Sequence, residues 1–125
     1  MSKTGKVVLV EPGKKARIVE MDLSLENMQK TVGGLIQAIY PYEDEVALVC
    51  NDEGKLMNLP QNRALADENG DVYDIIAGTF FICGLSEDNF AELTDELAEV
   101  YLKKFKNPET FIWKDGELLI IELHS

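Results

Sequence analysis

The stretch Asp74–Gly84, DIIAGTFFICG, is the most apolar run in a chain of 125 residues. Its eleven residues are far short of the about 20 needed to span a bilayer, so the run belongs to a protein core. Ile75, Ile76, Phe80, Phe81 and Ile82 are β-formers, and Gly78 interrupts them. The run reads as a central buried strand entered through a bend at Gly78.

Upstream of this strand the chain is punctuated by turn residues. Lys6–Glu11 (KVVLVE) and Ala16–Asp22 (ARIVEMD) flank Pro12-Gly13 and read as a hairpin. Ser24 is the expected cap of a short helix, with Glu26 in its first turn and Leu25, Met28, Gln29 and Val32 at helical spacing. Gly33-Gly34 supplies its stop. Leu35–Tyr42 and Glu45–Asn51 read as strands around the acidic Glu43–Glu45. Asn51–Gly54 is expected to fold back into Lys55–Leu59 as a second hairpin closed by Pro60. Gln61–Asp67 reads as irregular or as one helical turn, and Glu68–Asp74 as a polar loop.

Downstream, both Ser86 and Thr94 precede acidic turns and could cap a helix. Thr94 is preferred because Asp95 and Glu96 follow it directly. Leu97, Val100, Tyr101 and Phe105 mark its apolar stripe, and Asn107-Pro108 stop it. Lys114–Glu117 (KDGE) then places an Asp-Gly turn between two apolar strands. The expected order is β-β-α-β-β-β-β-α-β-β: an α+β fold with a mainly antiparallel sheet built from hairpins and two helices packed on it. No repeat or linker breaks residues 1–125, so a single domain is expected, with residues 1–84 as sheet plus short helix and 85–125 as helix plus C-terminal hairpin.

Composition narrows the function. With 46% hydrophobic residues the chain is globular rather than disordered. Its 23 acids and 12 bases give a net charge of −11, which repels phosphate backbones and anionic membranes. Direct nucleic-acid binding needs a basic patch. The candidates, Lys14, Lys15 and Arg17 in a turn and Lys103, Lys104 and Lys106 at a helix end, are small. The acidity serves solubility, a basic protein partner, or imitation of nucleic acid. Cys50 and Cys83 lie in apolar runs and read as buried free thiols of a reducing compartment. No apolar run near the start resembles a signal peptide, so a cytoplasmic location is expected.

Few residues are suited to catalysis. The one histidine, His124, is a single residue from the end of the sequence. Two cysteines 33 residues apart plus that histidine do not make a zinc pattern. No phosphate-loop or dinucleotide fingerprint occurs. Asp67, Asn69 and Asp71 alternate as in a calcium loop, but the required Gly and Glu are replaced by Val72 and Gly78. The expectation is therefore a non-enzymatic protein without metal or cofactor. Tyr40 and Tyr42, flanking Pro41, stand where a strand end meets Glu43, Asp44 and Glu45. They form the expected partner-facing set.

At VVLVEPGKKARIVEMD, LENMQKTVGGLIQ, VCNDEGKLMNLPQNR and DIIAGTFFICG, the chain resembles a domain-of-unknown-function family of phage, plasmid and conjugative-element proteins. The ordered pattern EPGK, VGG, CNxEGK, LPxNR and DIIAGT carries the resemblance from about Val7 to Gly84. The helix Leu93–Phe105 is also similar, and the hairpin after Pro108 lies outside the pattern. The resemblance implies no chemistry; it implies a mobile-element context. A counter-defence or accessory factor binding a host protein is one expectation. A sponge for a small nucleotide-like ligand is another, its pocket lined by Asn51, Asn62, Arg63 and Gly78, with Arg63 as anion clamp. A dimer or scaffold module joined through the edge strand Glu117–Leu123 is the third.

Overall fold

A computed structural model of the protein describes residues 3–87 and 89–123. The first hairpin forms as expected: β1 (Thr4–Val10) pairs antiparallel with β2 (Arg17–Asp22). Helix α1 (Leu25–Val32) starts where Ser24 Oγ accepts the Asn27 N–H at 3.2 Å. It stops at Gly33, whose φ of 82° turns the chain left-handed while its N–H reaches Gln29 O. Strands β3 (Ile36–Ile39) and β4 (Val46–Asn51) pair antiparallel across an acidic connection. Next come β5 (Gln61–Ala66), β6 (Val72–Ala77), β7 (Phe80–Ser86) and the short β8 (Asn89–Ala91).

Helix α2 (Asp95–Lys104) begins at Thr94, whose Oγ1 accepts the Leu97 N–H at 3.1 Å. Acids fill its first turn and lysines its last, matching the helix dipole. The final hairpin joins β9 (Glu109–Lys114) to β10 (Glu117–Glu122). Its turn residues Asp115 and Gly116 both have positive φ, 52° and 80°, as a tight turn matched to strand twist requires.

The main sheet runs β2-β1-β7-β4-β3, with β8 added beside β7, and every pairing is antiparallel. Two small sheets, β5-β6 and β9-β10, stand apart from it. Successive residues of β1, β4 and β7 point to opposite faces, and both faces are covered. One face packs Val7, Ala47, Val49, Phe81 and Cys83 against Met28 and Val32 of α1. The other packs Val8, Val10, Leu48, Phe80 and Ile82 against Tyr101 and Phe105 of α2 and against Leu65 and Ile76 of β5-β6. This arrangement explains why the central strands are apolar at consecutive positions rather than alternating. Phe80 and Phe81 are both fully buried, on opposite faces, and each such side chain stabilises the fold by roughly 1.5–3 kcal/mol.

The structure corrects four sequence expectations. Asp74–Gly84 is two strands, not one: Gly78, with φ of 86°, carries the chain from the β5-β6 sheet into the centre of the main sheet. Asn51–Leu59 forms turns instead of a hairpin, because β4 already has β3 and β7 as neighbours and offers no free edge. Gln61–Asp67 is neither irregular nor helical; burial of Asn62, Arg63 and Leu65 draws Gln61–Ala66 into a strand. The polar loop ends at Asp71, since Val72–Asp74 extend β6. In addition, Val100 faces solvent, and Ala98 takes its place in the buried stripe of α2.

Candidate functional site

Asn62 and Arg63, the residues singled out for ligand binding, are spent inside the fold. Asn62 is fully buried and donates from Nδ2 to Val10 O and Gly78 O, both at 2.9 Å. Its Oδ1 accepts from Arg63 Nη1 at 2.8 Å. Arg63 is 1% exposed. Its Nε and Nη2 donate to Phe105 O at 3.2 and 2.9 Å, Nη2 also donates to Lys14 O at 2.7 Å, and Nη1 reaches Asn62 O at 3.3 Å. A guanidinium has five N–H groups, and the fold supplies an acceptor contact for each.

Phe105 is the C-terminal cap of α2, so the buried cation sits at the negative end of that helix. Burial lowers the Arg63 pKa, and the charges of Glu109 and Glu122 act against that shift. The LPxNR motif is thereby a clamp joining β5 to the first hairpin, to the start of β7 and to the end of α2. This corrects the anion-clamp expectation, because no N–H of Arg63 is left to face a ligand.

Asn51 and Gly78 do not join Asn62 and Arg63 around one cavity. Asn51 Nδ2 donates to Val32 O at 3.1 Å and its Oδ1 accepts the Glu53 N–H at 2.7 Å, pinning the end of α1 to the turn after β4. That turn borders a recess of about 140 Å³ with Cys50, Lys55 and Asp74, and Lys55 and Asp74 form an ion pair there. Gly78 borders a different depression, beside Pro12, Lys14, Gly33 and Pro60. Cys50 and Cys83 are free, buried thiols on opposite sheet faces, which keeps them apart. Burial pushes them up to about 11 and about 12, so both are protonated at neutral pH.

The partner-facing set fares differently. Tyr42, Glu43 and Asp44 line a groove of about 660 Å³, while Tyr40 and Glu45 turn to a second recess beside Leu85 and Phe90. The first groove gathers three segments: the β3-β4 connection, the β5-β6 loop with Asp67 and Glu68, and the outer side of α2. Its floor is aromatic. The Tyr42 and Tyr101 rings lie 5.1 Å apart, and Tyr101 donates its hydroxyl to Asp44 Oδ2 at 2.7 Å. Burial raises both phenol pKa values, so the two rings stay neutral and Tyr101 remains a donor. Lys104 Nζ lies 4.9 Å from the centre of the Tyr42 ring, a cation on an aromatic face. Tyr73 completes the wall and is 58% exposed.

Sequence reasoning missed Tyr73, Tyr101, Lys104 and the loop acids as members of this site. Tyr101 sits in the helix stripe and reads there as core. The loop acids read as a solvated turn, which they also form, since Asp67 Oδ1 accepts the N–H groups of Asn69 and Asp71. Among the described residues, no cluster of His, Cys, Asp and Glu is arranged to hold a metal ion. His124 lies outside the described residues.

A family model described as a domain of unknown function, DUF3846, matches residues 5–106. The chain belongs to this family. The match takes in α2, which the resemblance up to Gly84 left at its margin, and it stops before β9. The clamp and the groove lie almost wholly within the matched span; the β9-β10 hairpin lies beyond it. No curated protein and no solved structure matches the chain. No helix among the described residues is long and apolar enough to cross a membrane.

Proposed function

We propose that this protein acts by binding rather than catalysis, and that the groove between the β3-β4 connection and α2 receives a basic segment of a protein partner. The observation that carries this reading is the meeting of neutral tyrosine rings and carboxylates in one groove that already holds the chain's own lysine ammonium. Lysine and arginine side chains of a partner would find the same two attractions: an aromatic face and nearby acids. The net charge of −11 speeds encounter with a basic surface and disfavours a nucleic acid in the same place. In a mobile-element setting, the partner would be a host protein whose basic face normally meets nucleic acid, and the chain would serve as a counter-defence or accessory factor. The acidic surface and the motif resemblance support that setting. The nucleotide-sponge reading is the weaker one, because its key cation, Arg63, has its donors engaged by the fold.

Calorimetric titration with a lysine- and arginine-rich peptide tests the proposal. Binding is expected at about 50 mM salt and should weaken at least tenfold by about 500 mM, as screening removes the charge term. The pair Glu43→Gln and Glu68→Gln should weaken it further without unfolding the protein, because both side chains are exposed. An absence of binding at low salt, or affinity indifferent to salt and to both substitutions, would refute the reading.

A further inference from the structure

The β9-β10 hairpin presents an apolar outer face that nothing in the chain covers. Pairing sets Thr110 opposite Ile121, Ile112 opposite Leu119 and Lys114 opposite Glu117. Side chains alternate along a strand, so these six share one face. The other face, with Phe111, Leu118 and Ile120, is half-buried. On the outer face Ile112, Leu119 and Ile121 are 41%, 42% and 44% exposed, and Leu123 just beyond is 44% exposed. Together they offer roughly 300 Å² of apolar surface, the scale at which a patch on a monomer marks an interaction site. A two-stranded hairpin is marginal by itself and gains from a further layer.

We infer that this face docks against its own counterpart in a second copy of the chain, forming a weak two-fold dimer. Charge selects this occupant. In a protein of net charge −11, two copies repel wherever acids meet acids. The outer face of the hairpin carries one cation and one anion, Lys114 and Glu117, set opposite each other, and so sums to zero. Other exposed apolar residues lack that neutrality: Leu56 and Met57 follow Asp52 and Glu53, and Val100 follows Glu96 and Glu99. The uncharged face also gives a basic partner no purchase, which separates it from the groove.

Area sets the strength. Two such faces bury roughly 600 Å² of side chain, below the about 1,200 Å² of stable complexes, so dissociation in the high-micromolar range is expected. Because the face is apolar while the rest of the surface repels, dimerisation strengthens as salt rises, opposite to the salt response of the groove.

Sedimentation velocity on the full chain, from about 5 to about 500 µM and in low and high salt, tests this. The expected result is a dimer that grows with concentration and with salt, and that disappears in Leu119→Lys and in Ile121→Lys. Leu56→Lys, at a residue 82% exposed elsewhere, should dimerise like the parent chain. Circular dichroism confirms that each variant is folded. A parent chain that stays monomeric at about 500 µM overturns the inference, as does association that survives both hairpin variants. Equal loss in Leu56→Lys would mark indiscriminate sticking and overturn it too. If the chain stays monomeric but floats with uncharged vesicles, and Leu119→Lys does not, the face takes lipid and the dimer is rejected.

Discussion

Replacing Arg63 tests the reading of the LPxNR motif as a clamp. Arg63→Ala removes five donor contacts and leaves Phe105 O, Lys14 O and Asn62 Oδ1 without them. Each buried acceptor stranded in this way costs about 1–3 kcal/mol, and the empty volume adds a packing loss. Phe105 O is also the end of a helix, so α2 loses a cation from its negative pole. A destabilisation of about 3–5 kcal/mol follows, with a melting temperature lowered by about 10–20 °C for a chain of this size. Arg63→Lys retains the charge but only three donors without the planar fork, and should fall between the two. Urea unfolding followed by circular dichroism gives the free energies directly. If Arg63→Ala is folded and lies within about 1 kcal/mol of the parent chain, the clamp contributes little and the reasoning fails.

Two further outcomes follow from the same structure. The folded thiols titrate near 11 and 12 against an ordinary 9.0, so the neutral form is the one the fold favours. Their contribution to stability is therefore complete below pH 9 and declines as pH climbs towards 11 and 12, which chemical denaturation at stepped pH would record. The same burial predicts that a thiol reagent reacts slowly with the native protein and titrates both cysteines on unfolding. Gly78→Ala should destabilise by more than about 1 kcal/mol, because φ is 86° and a new Cβ would lie 2.7 Å from Leu59 Cδ1. A melting temperature unchanged by that substitution would mean the crossover tolerates another backbone path.

Local signals were legible where the chain itself satisfies them. Ser24, Thr94, Gly33 and Asp115-Gly116 act within a few residues of their position, and the helices and both terminal hairpins were readable from them. What the sequence concealed depends on distant partners. Gln61–Ala66 carries a polar pattern that looks unlike a strand until Val10 and Phe105, 52 and 42 residues away, accept its side-chain donors. Asp74–Gly84 looks continuous because a buried strand is apolar on either side of a crossover. The candidate site divided in the same way. Tyr42, Glu43 and Asp44 were visible as a local cluster, whereas Tyr101 shares a helix stripe with core residues and gives no sign that its hydroxyl reaches 57 residues back to Asp44. Arg63 was conspicuous for its charge, but sequence carries no measure of burial for a cation whose acceptors are main-chain oxygens.

The doubly covered sheet raises a question of alignment. In a strand with one wet face, a slip of one residue throws apolar groups into water, and the hydrophobic pattern alone fixes the pairing. In β1 and β7 a slip would exchange Val8 for Leu9 and Phe81 for Phe80, one apolar residue for another, so burial discriminates poorly. Asn62 supplies what burial lacks. Its amide bridges Val10 O, at the end of β1, and Gly78 O, two residues before the Phe80 that pairs with Val10. A single buried side chain thus acts as an alignment pin between two strands to which it does not belong, and a shifted pairing would leave its donors unanswered.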